Sequence, residues 1–94
     1  MSFRLSPRAE RDLEEIWDYT VETWSRAQAD AYVGQIFETM ERLATGAEVG
    51  RPVIVRDGYL KAPVGRHLVF YREGKDGVDI IRILHQRMDV ERHL

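Results

Sequence analysis

Three apolar spacings succeed one another along this 94-residue chain. FRLS (3–6) alternates and predicts a brief strand. Ser6-Pro7 then reads as an N-cap followed by proline at the first helical position, where its missing N–H costs nothing. Ala9, Leu13, Ile16, Trp17, Thr20 and Trp24 recur at helical spacing and predict an amphipathic helix over about 7–24. Trp17 and Trp24 fall on its apolar side, as core or hairpin packing, while Glu10, Asp12, Glu14, Glu15, Asp18 and Glu22 form its solvated face. Ser25 and Gln28 make an S-x-x-Q capping box that opens a second helix. Its stripe runs through Ala29, Tyr32, Val33, Ile36, Phe37, Met40, Leu43 and Ala44 to Gly46, a residue type suited to the left-handed helix end. So short a link between the two helices requires an antiparallel hairpin.

From Gly50 the period becomes two. RPVIVR (51–56) is a strand candidate, Asp57-Gly58 a hairpin turn, and YLKA (59–62) the segment leaving it. RHLVFYRE (66–73), the turn GKDG (74–77) and VDIIRILH (78–85) follow. Short loops between successive strands imply antiparallel pairing. The expected fold is a single α+β domain over 1–94, in the order β-α-α-β-β-β, with the helical hairpin packed on one face of a small antiparallel sheet. In the last strand, alternation puts Asp79, Ile81, Ile83 and His85 on one face and Val78, Ile80, Arg82 and Leu84 on the other. Both faces are largely apolar, so the one the hairpin leaves bare is expected to be covered by a partner.

Composition narrows the function classes. With 44% hydrophobic and 32% charged residues the chain is an ordinary globular one, and without cysteine it has neither disulfides nor a thiolate metal site. No run approaches 18 apolar residues and no secretory h-region opens the chain, so a cytoplasmic protein without membrane association is expected. The net charge of −2 argues against a general nucleic-acid binder. Residues 1–45 hold nine acidic and five basic side chains, residues 46–94 seven and nine, so an anionic partner would meet the second half.

Candidate chemistry centres on RILHQRMD (82–89). Metal-independent RNA cleavage needs a base at the 2′-hydroxyl, an acid at the leaving oxygen and cations at the phosphate. His85 as base, Arg51, Arg66, Arg82 and Arg87 as cations, and Tyr71 or Tyr59 as proton donor would supply the residue types. A locally bonded histidine at a strand end is the competing reading. His67, His85 and His93 lack the helical spacing or cysteine companions of a metal site, and the glycines at 50, 58, 65, 74 and 77 match no phosphate loop, so no metal or cofactor is expected.

Taken in order, LSPRAERDLEEIWDYT, ADAYV, GRPV, GYLKAPVGRHLVFYR and IIRILHQRMD resemble the ParE-type toxins of the RelE/ParE superfamily, the plasmid-stabilisation type of bacterial toxin–antitoxin pairs. The resemblance spans nearly the whole chain, and the element order read above is that family's fold. It implies a type II toxin neutralised by a ParD-like antitoxin with a ribbon–helix–helix DNA-binding N-terminus, so that operator DNA is reached only through the antitoxin. It also implies inhibition of DNA gyrase, with arrest of replication and growth. RelE-like relatives are instead ribosome-dependent mRNA endoribonucleases, and fold alone does not choose. Those enzymes carry basic middle strands and a terminal tyrosine or His-Tyr pair. Here Gln86 follows His85, no tyrosine comes after it, and the middle strands offer Arg56, Lys61 and Arg66. The expectation is target binding without catalysis; the alternative is an endoribonuclease with His85 as general base, partnered by Tyr59 or Tyr71 across strands. For the antitoxin the resemblance suggests Leu13, Trp17 and Tyr71; for the target, Arg82, His85, Arg87, Met88 and Asp89.

Overall fold

The computed structural model describes residues 2–94. Both helices begin at the serines that cap them. In α1 (Pro7–Thr23) the Ser6 side chain accepts from the Ala9 N–H, and in α2 (Arg26–Thr45) the Ser25 side chain accepts from the Gln28 N–H. Gly46 ends α2 at φ 83°, the left-handed conformation expected of it. The Trp17 indole N–H reaches across the hairpin to Asp30 Oδ1 at 3.1 Å.

Under the hairpin lie β1 (Ser2–Leu5), β2 (Arg51–Pro52), β3 (Leu60–Val64), β4 (His67–Glu73) and β5 (Gly77–His85), in the sheet order β1-β5-β4-β3-β2. Strands β2 to β5 pair antiparallel, as their short connections require. β1 does not: it runs parallel to β5, so the sheet is mixed rather than purely antiparallel. Turn length governs only strands that are neighbours in sequence, whereas β1 reaches β5 from the other end of the chain. Gly77 makes the approach possible, because a β-carbon there would stand 1.7 Å from the Ser2 carbonyl oxygen.

Three further expectations are corrected. Of RPVIVR only Arg51–Pro52 enters the sheet; the Val53 N–H to Tyr59 carbonyl bond closes a loop over 53–59. Next, β4 and β5 pair Tyr71 with Ile80 but Phe70 with Arg82, so Ile81 is an extra, bulged residue. A bulge reverses the alternation beyond it. Val78, Ile80 and Ile83 therefore share the helix-side core, while Leu84 joins Phe70 on the opposite face. Finally, that opposite face is covered by the chain itself. Val53, Phe70 and Leu84 are packed by Tyr59, Leu68, Val90 and Leu94, from the 53–59 loop and a short terminal helix, α3 (Val90–His93).

The helix-side layer is the larger. Ala9, Leu13 and Ile16 of α1 and Ile36, Met40 and Leu43 of α2 pack on Ala62, Val69, Tyr71, Ile80 and Ile83. At about 1.5–3 kcal/mol for each large apolar side chain withdrawn from water, this layer holds the fold and the smaller one seats the tail. Among the described residues no helix is long and apolar enough to cross a membrane.

Candidate functional site

Two polar assemblies sit where the helical hairpin meets the end of β5. The first is closed. β1 ends at Leu5, and the β5 edge beyond it takes side-chain partners instead: Ser6 Oγ donates to the Ile81 carbonyl, and Asp12 Oδ2 accepts from the Ile83 N–H at 2.9 Å. The same carboxylate grips Arg82 with both oxygens, Nε–Oδ2 at 2.8 Å and Nη2–Oδ1 at 3.0 Å, and Arg82 Nη1 donates to the His93 carbonyl at 2.8 Å. One bidentate pair thus fastens α1, β5 and the C-terminal turn. Asp12 is 8% exposed, not part of the solvated face, because β5 needs its oxygens. The hydrogen bond to Asp12 holds the Arg82 guanidinium further above its ordinary pKa, against the pull of burial.

The second assembly is open. The bulge places His67 of β4 directly opposite His85 of β5, with ring centroids 5.3 Å apart in an edge-to-face arrangement. Tyr32 of α2 completes the group, its hydroxyl 2.6 Å from His67 Nδ1, 3.2 Å from the Val64 carbonyl and 3.1 Å from the Arg66 N–H. Gly65 leaves room for it: a β-carbon there would lie 2.5 Å from the tyrosine ring.

The hydrogen bonds assign the tautomer of His85. Its Nδ1 accepts from the Arg87 backbone N–H at 3.1 Å, so that ring has committed its lone pair and carries its proton on Nε2. The Tyr32 phenol has one proton, for the Val64 carbonyl or for His67 Nδ1, so its contacts admit either tautomer of His67, while the Arg66 N–H donates to the phenolic oxygen. Burial, reinforced by repulsion from His85 and partly opposed by Asp12, lowers the His67 pKa to about 4, so this ring is neutral at pH 7. Burial raises the Tyr32 pKa, so the phenol keeps its proton.

Both imidazoles line two adjoining clefts of about 320 and 510 Å3 that also share Tyr19 and Thr20. One continues along α1 past Asp12, Glu15 and Ile16 to Met88; the other runs to Trp24, Gln28, Gly65 and Arg66. Trp24, expected in the packing, is 68% exposed and walls the second cleft. It is the C-cap residue of α1, where the chain departs from the helix.

The other anticipated residues are scattered. Tyr71 is 3% exposed and accepts from the Gly50 N–H at 2.7 Å, so it neither meets His85 nor offers a surface. Leu13 is buried in the helix-side core, and of the suggested antitoxin contacts only Trp17 keeps some exposure. Arg51 is exposed on β2, at the far edge of the sheet. Arg82 is committed to Asp12, and Asp89 caps α3 by accepting from the Glu91 N–H. Arg87 and Met88 remain exposed beside His85. Tyr32 and His67 were missed as a pair with His85. A hairpin register counted from the GKDG turn without a bulge would have set His67 against Leu84, and Tyr32 read as one more residue of an apolar stripe.

A helical hairpin on a small mixed sheet is the α+β fold of RelE/ParE-type toxins. Similarity to two solved structures shows it. One, from the chromosomal ParDE toxin–antitoxin system of P. aeruginosa, superposes with a TM-score of 0.78 at 24% identity over 90% of this chain and 95% of that one. The other, from the RelBE2 toxin–antitoxin complex of Mycobacterium tuberculosis, gives a TM-score of 0.59 at 25% identity over 89% of this chain and 95% of that one. Residues 3–90 match the family described as the ParE toxin of the type II toxin–antitoxin system parDE, and the chain belongs to that family. Toxin ParE1 of Mycobacterium tuberculosis is 43% identical over 94 residues, spanning 98% of this chain and 96% of that protein. Toxin ParE1 of Caulobacter vibrioides is 42% identical over 93 residues, with the same coverage.

Proposed function

We propose that this type II toxin acts by binding a protein target, DNA gyrase, without cleaving RNA, and that a ParD-like antitoxin neutralises it. Membership of the ParE family supports the target, and the two solved relatives come from a ParDE system and a RelBE2 toxin–antitoxin complex, which supports the antitoxin. One observation carries the non-catalytic half: His85, the candidate general base, has its Nδ1 lone pair occupied by the Arg87 N–H and its proton on Nε2, so it has no free ring nitrogen to accept a proton. The cations point the same way. Arg82 is neutralised by Asp12 and Arg51 lies at the far sheet edge, leaving Arg66 beside the histidines on one side and Arg87 on the other. The target surface is then His85, Arg87 and Met88, with Arg82 and Asp89 positioning the segment that carries them.

A ribosome-dependent endoribonuclease is the second reading, favoured only by the presence of Tyr32, His67 and His85 in one cleft. Induction of the chain without its antitoxin separates the two. Gyrase inhibition predicts loss of plasmid supercoiling, filamentation and a DNA-damage response while messages stay intact. Rapid cleavage of translated messages with supercoiling preserved would overturn it.

A further inference from the structure

We infer that the Tyr32–His67–His85 cleft seats the carboxylate of one acidic side chain on the antitoxin's toxin-binding segment, with an adjacent apolar residue against Trp24 and Tyr19. This rests on the antitoxin reading above and goes beyond it by naming the chemistry of the contact. His85 offers the cleft an Nε2–H donor with no acceptor among the described residues, since its Nδ1 accepts from the Arg87 N–H. A donor whose ring has spent its other lone pair, with an arginine at the same cleft, accepts an oxyanion or a carbonyl, and it does not accept a cation.

Arg66 adds a positive charge at the rim and joins none of the ion pairs among the described residues. The flanking walls are apolar and solvent-facing, with Tyr19 66% and Trp24 68% exposed. Aromatic walls around a desolvated charge contact are the arrangement of an interface anchor. A nucleic-acid strand fits less well. Its successive phosphates would run from Arg66 onto the wall that carries the carboxylates of Asp12 and Glu15, and Arg87, exposed next to His85, does not line that wall. A single carboxylate asks for one cation and a donor, which Arg66 and His85 supply.

The test uses the full chain with the antitoxin encoded beside it. His85→Leu and Arg66→Gln should each weaken the complex by about tenfold or more, and His85→Gln, which keeps an N–H donor, should recover most of that loss. An Asp→Asn and Glu→Gln scan of the antitoxin should find one position whose loss is not additive with His85→Leu, because both remove the same contact. Failure of the unaltered chain to bind the antitoxin would overturn the partner reading on which the inference rests. Tight binding that ignores His85→Leu and Arg66→Gln, or a scan without a position coupled to His85, would overturn the carboxylate site alone. A 12-nucleotide RNA that binds the chain and is lost with Arg66→Gln, while the antitoxin is indifferent to both substitutions, would overturn it in favour of a nucleic-acid site.

Discussion

The Asp12–Arg82 pair and the Tyr32–His67–His85 group are neighbours at the same end of the sheet, yet they follow opposite rules. In the first, the side chains are 10% and 12% exposed and the carboxylate answers three donors: Arg82 Nε, Arg82 Nη2 and the Ile83 N–H. Nothing is left to offer a ligand, and its work is to stop the β5 edge and hold the C-terminal turn. In the second, His85 Nδ1 is satisfied and its Nε2–H is not. The closed pair is accounted for by the fold, whereas a donor left unanswered at a cleft is a candidate for binding.

Breaking the closed assembly should have the largest effect. Asp12→Ala leaves a buried guanidinium and the Ile83 N–H without their acceptor, and unfolding in denaturant should show a loss of about 3–5 kcal/mol. Replacing both partners by apolar residues of similar volume should restore part of it, because the buried guanidinium is then gone while the Ile83 N–H still lacks its acceptor. In the open assembly, Tyr32→Phe should cost only about 1 kcal/mol while releasing His67 Nδ1, which a change in the ring's nitrogen chemical shifts would report.

The pH response sharpens the comparison further. His67 binds a proton at about 4 in the fold but at its ordinary 6.5 when unfolded. Between those values the unfolded chain holds more protons, so this group's contribution is complete above about 6.5, declines as pH falls to about 4 and is flat below. His67→Gln should make the parent's loss of stability across that window shallower; an unchanged slope would show that the ring titrates normally. The smallest effect belongs to the Arg4–Asp79 pair, where Arg4 is 85% exposed: Arg4→Gln should leave the thermal midpoint where it was.

Local chemistry made much of this legible in the sequence. Ser6-Pro7, the Ser25/Gln28 box and Gly46 placed both helix boundaries because caps act within a few residues. What escaped depended on distant partners. The parallel placement of β1 is set by contacts with β5, some 75 residues away, which no turn signals. One bulged residue, Ile81, decided which side chains share a face and brought His67 opposite His85. Asp12 looked like any other acid on a wet helix face because its reason for burial, the unpaired Ile83 N–H, lies 71 residues on. Beyond the target contacts expected at Met88 and Asp89, the C-terminal turn sends Val90 and Leu94 into the second apolar layer, against Phe70 and Leu84 of distant strands. Candidate residues were therefore found one at a time, and their grouping was not.

The central claim is that His85 is a donor to the cleft with no free lone pair. Nitrogen-15 correlation spectra of its imidazole test it most directly. The account predicts a ring protonated on Nε2 with Nδ1 accepting a hydrogen bond. A proton on Nδ1 with a bare Nε2 in His85 would contradict it and would restore a general base to the cleft.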